Sequence, residues 1–183
     1  MPVDTLKDFL DSQAVRYITT QHSPAYTAQE LAHAIHTCGR QVAKTVILEL
    51  DGKLAMVVMP ATYRIRWDKF MRAMGTDFVE LADEEEFQDR FPDCEVGAMP
   101  PFGNLFDMNV YLSETLAANE EIIFPAGSHS EIIRMSVADY LRLVRPVLLS
   151  EGLVDPNRTP AMIRKCLGRE PEVPETWQRR SAC

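Results

Sequence analysis

The stretch from Val42 to Pro60, VAKTVILELDGKLAMVVMP, constrains the fold more than any other part of the chain. Two runs rich in aliphatic and β-branched residues flank Asp51-Gly52, a dipeptide that favours a two-residue hairpin turn because both positions tolerate positive φ. Alternate strand residues share a face, so Val42, Lys44, Val46 and Leu48 line up together. Three are aliphatic and the fourth is a lysine. An ammonium group in an apolar row either snorkels to the sheet edge, pairs with a carboxylate, or lines a pocket that receives an anionic or carbonyl-bearing ligand.

Around this hairpin the pattern alternates between strands and helices. A helix at about 4–13 precedes a strand-like VRYITTQ. Thr27 and Glu30 form a capping-box pair for a helix that Gly39 is placed to end. A helix over about 67–74 stops before Gly75, followed by a short strand in DFVELA and a short helix in DEEEFQDRF. Strands are expected in MNVYLS, EIIFPAG and EIIRMS, and Ser136 caps a helix in VADYLRLV. The hairpin rules out a purely parallel sheet, so the fold class is mixed α/β (α+β). The domain is expected over 1–148, with 149–183 as a C-terminal extension carrying one helix in TPAMIRKCLG.

Composition narrows the function classes. The 183 residues suffice for one domain with a proper core. No apolar run approaches the roughly 18 residues of a membrane helix, and the N-terminus reads as a polar amphipathic helix, which predicts a cytoplasmic protein with no membrane partner. Four scattered cysteines, with no CxxC pair, argue against structural disulfides and thiolate metal sites. A net charge of −8 disfavours broad nucleic-acid binding, and DNA is not an expected partner. A local RNA contact is still open: in YRIRWDKFMR the basic residues Arg64, Arg66, Lys69 and Arg72 are interleaved with Tyr63, Trp67 and Phe70. The same stretch also reads as an amphipathic helix burying Trp67, Phe70 and Met71.

Two loops carry further candidates. GAMPPFGN (Gly97 to Asn104) is stiffened by prolines, while its glycines let backbone amides approach a ligand. AGSHSE places Gly127, Ser128 and His129 between two strands. There is no GxSxG, HExxH, P-loop or GxGxxG motif, and His22, His33, His36 and His129 form no recognisable metal set. No metal and no cofactor are expected.

Lysine strand, PPFG loop and GSH turn, in that order, together with TAQELA, GRQVAKTVIL, LADEEEF and SEIIRM, resemble one family. The chain is similar, over roughly Pro24 to Pro146, to the YbaK and prolyl-tRNA-synthetase-associated editing domains. These include the free-standing trans-editing aminoacyl-tRNA deacylases of ProXp type. The resemblance implies a mixed, partly barrel-like sheet surrounded by helices. It also implies hydrolysis of the ester joining a wrong small amino acid to a tRNA, commonly proline tRNA, without metal and with help from a substrate ribose hydroxyl. By the same resemblance Lys44 holds the acceptor end, and Gly127, Ser128 and His129 lie near the scissile ester. Gly97, Pro100, Pro101, Phe102 and Gly103 would shape the amino-acid pocket. The tRNA acceptor end, gripped by Arg40, Arg64, Arg66, Lys69 and Arg72, is the expected partner, with prolyl-tRNA synthetase as a second. Two other readings stay open: a non-catalytic module that binds an aminoacyl end or a synthetase, and a hydrolase of another small ester.

Overall fold

A computed structural model describes residues 2–92 and 94–156. In chain order the elements are α1 (Pro2–Ser12), β1 (Tyr17–Gln21), α2 (Ala28–Ala34), β2 (Ala43–Leu50), β3 (Lys53–Pro60), β4 (Arg64–Ile65), α3 (Trp67–Met74), β5 (Val79–Leu81) and α4 (Glu84–Phe87). A 3₁₀ turn (Gln88–Arg90) and a second one (Gly103–Phe106) lead to β6 (Asn109–Ser113) and α5 (Glu114–Ala117). Then come β7 (Glu121–Ser128), β8 (Glu131–Ser136), α6 (Val137–Val144), β9 (Val147–Leu149) and β10 (Leu153–Val154).

The predicted hairpin is the centre of a five-stranded sheet, ordered β5-β2-β3-β6-β9. Its turn residues Asp51 and Gly52 both have positive φ, 48° and 78°, and the antiparallel register sets Lys44 opposite Met59 and Val46 opposite Val57. β6 and β9 join in parallel, which makes the sheet mixed. β1, β8 and β7 form an antiparallel three-stranded sheet, and β10 pairs with β4. The two larger sheets meet at a single parallel bridge, Val42 to Ile123, beyond which β2 and β7 part.

Both faces of the hairpin are buried, so an apolar run takes the place of a strict alternation with polar residues. Ala43, Ile47, Met56 and Val58 enter the main core with Leu6 and Leu10 of α1, Phe102, Phe124 and Tyr140. Leu48, Val57 and Met59 pack on Phe70 of α3, Leu149 and Leu153. Burial on both sides makes the hairpin the element that every layer of the molecule shares.

Several expectations need correction. The capping box of α2 is present, with Thr27 accepting from the Glu30 amide, but the helix stops at Ala34 rather than near Gly39. His36 takes a left-handed conformation at φ 52° and the Thr37 amide turns back to Ala32, so the termination precedes the glycine. In α3 only Phe70 is fully buried, whereas Trp67 stays 39% exposed. Cys38 is disulfide-bonded, which cysteine spacing did not anticipate. Strand pairing continues past residue 148. β9 and β10 extend the sheets through Val154, Leu149 and Leu153 are buried, and the Arg66 amide donates to the Gly152 carbonyl at 2.8 Å. Gly152 has φ 84°, and a Cβ there would lie 2.7 Å from the Phe70 Cα, so the close approach requires glycine. The expected helix in TPAMIRKCLG lies outside the described residues.

Candidate functional site

Where β2 and β7 diverge, the gap between them opens into a cleft of about 250 Å³. Lys44 and Val46 of β2, Gly97 and Met99, Pro125 of β7, His129, and Ala25 to Ala28 before and at the start of α2 line it. The site thus arises from topology. One bridge joins the sheets, the strands splay, and the first turns of the neighbouring segments close the space.

Lys44 resolves the opening conflict between an ammonium and an apolar row. Its Nζ donates to the Tyr63 carbonyl at 2.6 Å, and no carboxylate among the described residues pairs with it. Burial, and secondarily the nearby Arg64 charge, push its pKa below the ordinary lysine value. One donor position is used internally, which leaves an ammonium with two hydrogens to offer at the cleft. Tyr63 is itself fixed, because its hydroxyl donates to Thr115 Oγ1 at 3.1 Å.

The GSH turn is held from two sides. Gly127, at φ 99°, lies in the register irregularity between Pro125 and Ser128, where a β-bulge bends the end of β7. The Glu95 amide donates to the Gly127 carbonyl at 2.9 Å, and the Glu95 carboxylate accepts from the His129 amide. On the other side the Ala25 amide donates to the His129 carbonyl at 2.9 Å, and the ring of Tyr26 lies 4.8 Å from that of His129. Tyr26 and Glu95 were not singled out from the sequence. A lone tyrosine before a helix and one acid in an acidic run carry no local signal.

The proline loop divides. Gly97 lines the cleft, but Pro100, Pro101, Phe102 and Gly103 are buried and do not line it. Phe102 packs in the main core, with ring contacts to Phe9, Phe124 and Tyr140. The Tyr140 hydroxyl donates to the Pro101 carbonyl at 2.7 Å, which pins the loop to α6. Gly127 and Ser128 are likewise not lining residues, whereas His129 is.

Of the basic residues, Arg64 is close enough to Lys44 for its charge to lower the lysine's pKa. Arg66 bonds Asp68 at 3.3 Å, and Lys69 and Arg72 are exposed on α3. Arg40 is half-buried, with its carbonyl accepting from Asn119. None of Arg40, Arg64, Arg66, Lys69 and Arg72 lines the cleft. Among the described residues no three His, Cys, Asp or Glu side chains are grouped so as to hold a metal ion.

A family profile for the aminoacyl-tRNA editing domain matches residues 22–143. The chain belongs to this editing-domain family. It is also similar to segments of proline–tRNA ligases: 24% identical over 90 residues to that of Bacillus mycoides, and 31% identical over 78 residues to that of Bacillus cytotoxicus. Those stretches cover 49% and 43% of this chain but only 16% and 14% of the ligases, so the chain spans a small part of their length. Among solved structures, a proposed trans-editing enzyme for prolyl tRNA synthetase superposes with a TM-score of 0.68 at 20% identity, covering 81% of this chain and 94% of that one. The mixed α/β fold with open sheets is that of the editing domains.

Proposed function

We propose that the chain is a trans-acting aminoacyl-tRNA deacylase that removes a wrong small amino acid, with proline tRNA as the favoured carrier, in the cytoplasm. Lys44 carries this reading: a partly desolvated ammonium, unpaired with any described carboxylate, at the wall of a cleft in an editing-domain chain. Hydrolysis adds water to the ester carbonyl and breaks its bond to the ribose oxygen. That oxygen takes a proton, releasing the amino acid and a free tRNA end. Negative charge grows on the carbonyl oxygen during the attack, and a fixed cation close to it lowers the barrier. His129, anchored by Ala25 and Glu95, borders the same space and serves to position the acceptor end.

Selection by size suits a cleft of about 250 Å³ whose walls are backed by a packed loop. Attraction alone separates side chains differing by one methylene by only about 1–3 kcal/mol, whereas a stiff wall rejects what does not fit. Pro100, Pro101, Phe102 and Gly103 stiffen that wall from behind, and Gly97 and Met99 face the substrate. Arg64, Arg66, Lys69 and Arg72 offer phosphate contacts leading away from the mouth, with Arg40 as a further contact.

The deciding experiment is deacylation of a panel of misacylated tRNAs by the parent and by Lys44→Ala. The parent should hydrolyse at least one small aminoacyl-tRNA, and the variant should lose a factor on the order of 10²–10³ in rate while staying folded. A fully active variant would remove Lys44 from the chemistry. A parent inert on every tRNA yet binding the acceptor end would favour the binding-module reading.

A further inference from the structure

A polar cleft lies at the opposite end of the hairpin from Lys44. It measures about 700 Å³ and gathers Lys53, Arg90 and Arg145, with Asn104, Asn109 and the single carboxylate Asp107. The three cations come from three places in the chain: the start of β3, the end of the 3₁₀ turn Gln88–Arg90, and the residue after α6. In a chain of net charge −8 such a convergence runs against the average field. The side chains of Lys53 and Arg145 have no hydrogen bond or ion pair, and Arg90 reaches only the Phe106 carbonyl at 3.4 Å. Asp107 neutralises none of them within 4 Å. The last carbonyls of α6 favour a cation at Arg145, but they do not account for the other two.

The geometry points to this cleft as a second tRNA site that binds backbone phosphates, an inference that rests on the aminoacyl-tRNA reading above. Guanidinium forks and an ammonium hold phosphate oxygens, and the two asparagine amides add neutral donors. α3 runs between the two ends of the hairpin. α3 starts beside Arg64, carries exposed Lys69 and Arg72, and ends where Thr76 Oγ1 donates to Asp51 Oδ1 at 2.6 Å in the hairpin turn. Lys53 follows two residues on and lines the polar cleft. Seven residue steps run from Lys44 to Asp51, on the order of 23 Å at about 3.3 Å each. A stem of the tRNA laid along α3 therefore meets cations at both ends while its acceptor end enters the catalytic cleft.

The test compares the parent, Lys53→Glu/Arg145→Glu, and a charge-matched control, Arg16→Glu/Arg134→Glu. Each is measured for binding of full-length uncharged tRNA against salt, and for deacylation of both full tRNA and a short acceptor-stem mimic. The cleft variant should bind full tRNA at least tenfold more weakly, with a salt slope shallower by roughly two from the loss of two phosphate contacts. It should hydrolyse the short mimic at the parental rate, and the control should behave as the parent. Unchanged tRNA affinity and slope overturn the inference, as does equal weakening by the control. Inorganic pyrophosphate binding lost in the cleft variant, with tRNA affinity intact, overturns it too and assigns the cleft to a small phosphate compound. A parent that binds tRNA through this cleft but deacylates nothing would sustain the phosphate site and overturn the deacylase reading instead.

Discussion

GAMPPFGN and AGSHSE look alike in sequence, each a short glycine-containing loop of the kind that carries function, yet the fold uses them in different ways. The first sinks: Phe102 is fully buried among aromatic rings, and Pro101 is tied to α6 through Tyr140. The second surfaces: His129 borders the cleft, with its amide and carbonyl held by Glu95 and Ala25. A motif marks a neighbourhood, and burial decides which of its members touch a ligand and which hold the others still.

That contrast can be broken most forcefully at Phe102. Phe102→Ala should cost about 3–5 kcal/mol of stability, read from denaturant unfolding, because it empties a site ringed by Phe9, Phe124 and Tyr140. A variant that unfolds as the parent does but accepts larger amino acids would mean Phe102 meets the substrate after all. On the other loop, His129→Ala should reduce deacylation by about tenfold or more, less than the ~10²–10³ of a direct charge stabiliser. Its unfolding midpoint should move little, a change under about 1 kcal/mol, as befits a rim residue. Loss of fold in that variant would erase the distinction between the loops.

The smallest effect sharpens the cleft side through pH. Burial first, and the Arg64 charge second, lower the Lys44 pKa from 10.5. Between that lowered value and 10.5 the unfolded chain binds the proton that the folded chain has released, so stability rises with pH across this window. Lys44→Met should lack the rise, which thermal unfolding of parent and variant over alkaline pH measures. Deacylation should fall over the same window as the ammonium is lost, and Arg64→Gln should move that fall upward in pH. A fall confined to pH values above 10.5 would show that Lys44 is not desolvated in solution.

The hairpin, the α2 capping box and the Ser136 cap of α6 were legible because each rests on local chemistry: a turn dipeptide and side chains bonding amides three residues on. α3 was legible down to both of its ends. β4, α5, β9 and β10, of two to four residues, were not, since so short a segment carries little periodicity of its own, although the equally short β5 and α4 were. Lys44 was visible as a charge out of place. The division of the proline loop was not, because its residues are apolar whether they face a ligand or a core. The polar cleft stayed hidden for a third reason: Lys53, Arg90 and Arg145 are far apart in the chain and ordinary one by one.

The segment around Gly152 separates two kinds of boundary. The family profile for the editing domain stops matching at residue 143. Mechanically the described body continues past it, through the point where Gly152 lies against the backbone of Phe70 and β10 latches β4. A graft cut at the edge of resemblance would carry the cleft into a new host but leave α3 without its fastening. The end of a matched profile and the end of a fastening contact fall at different residues in this chain, and a transplant must respect the second.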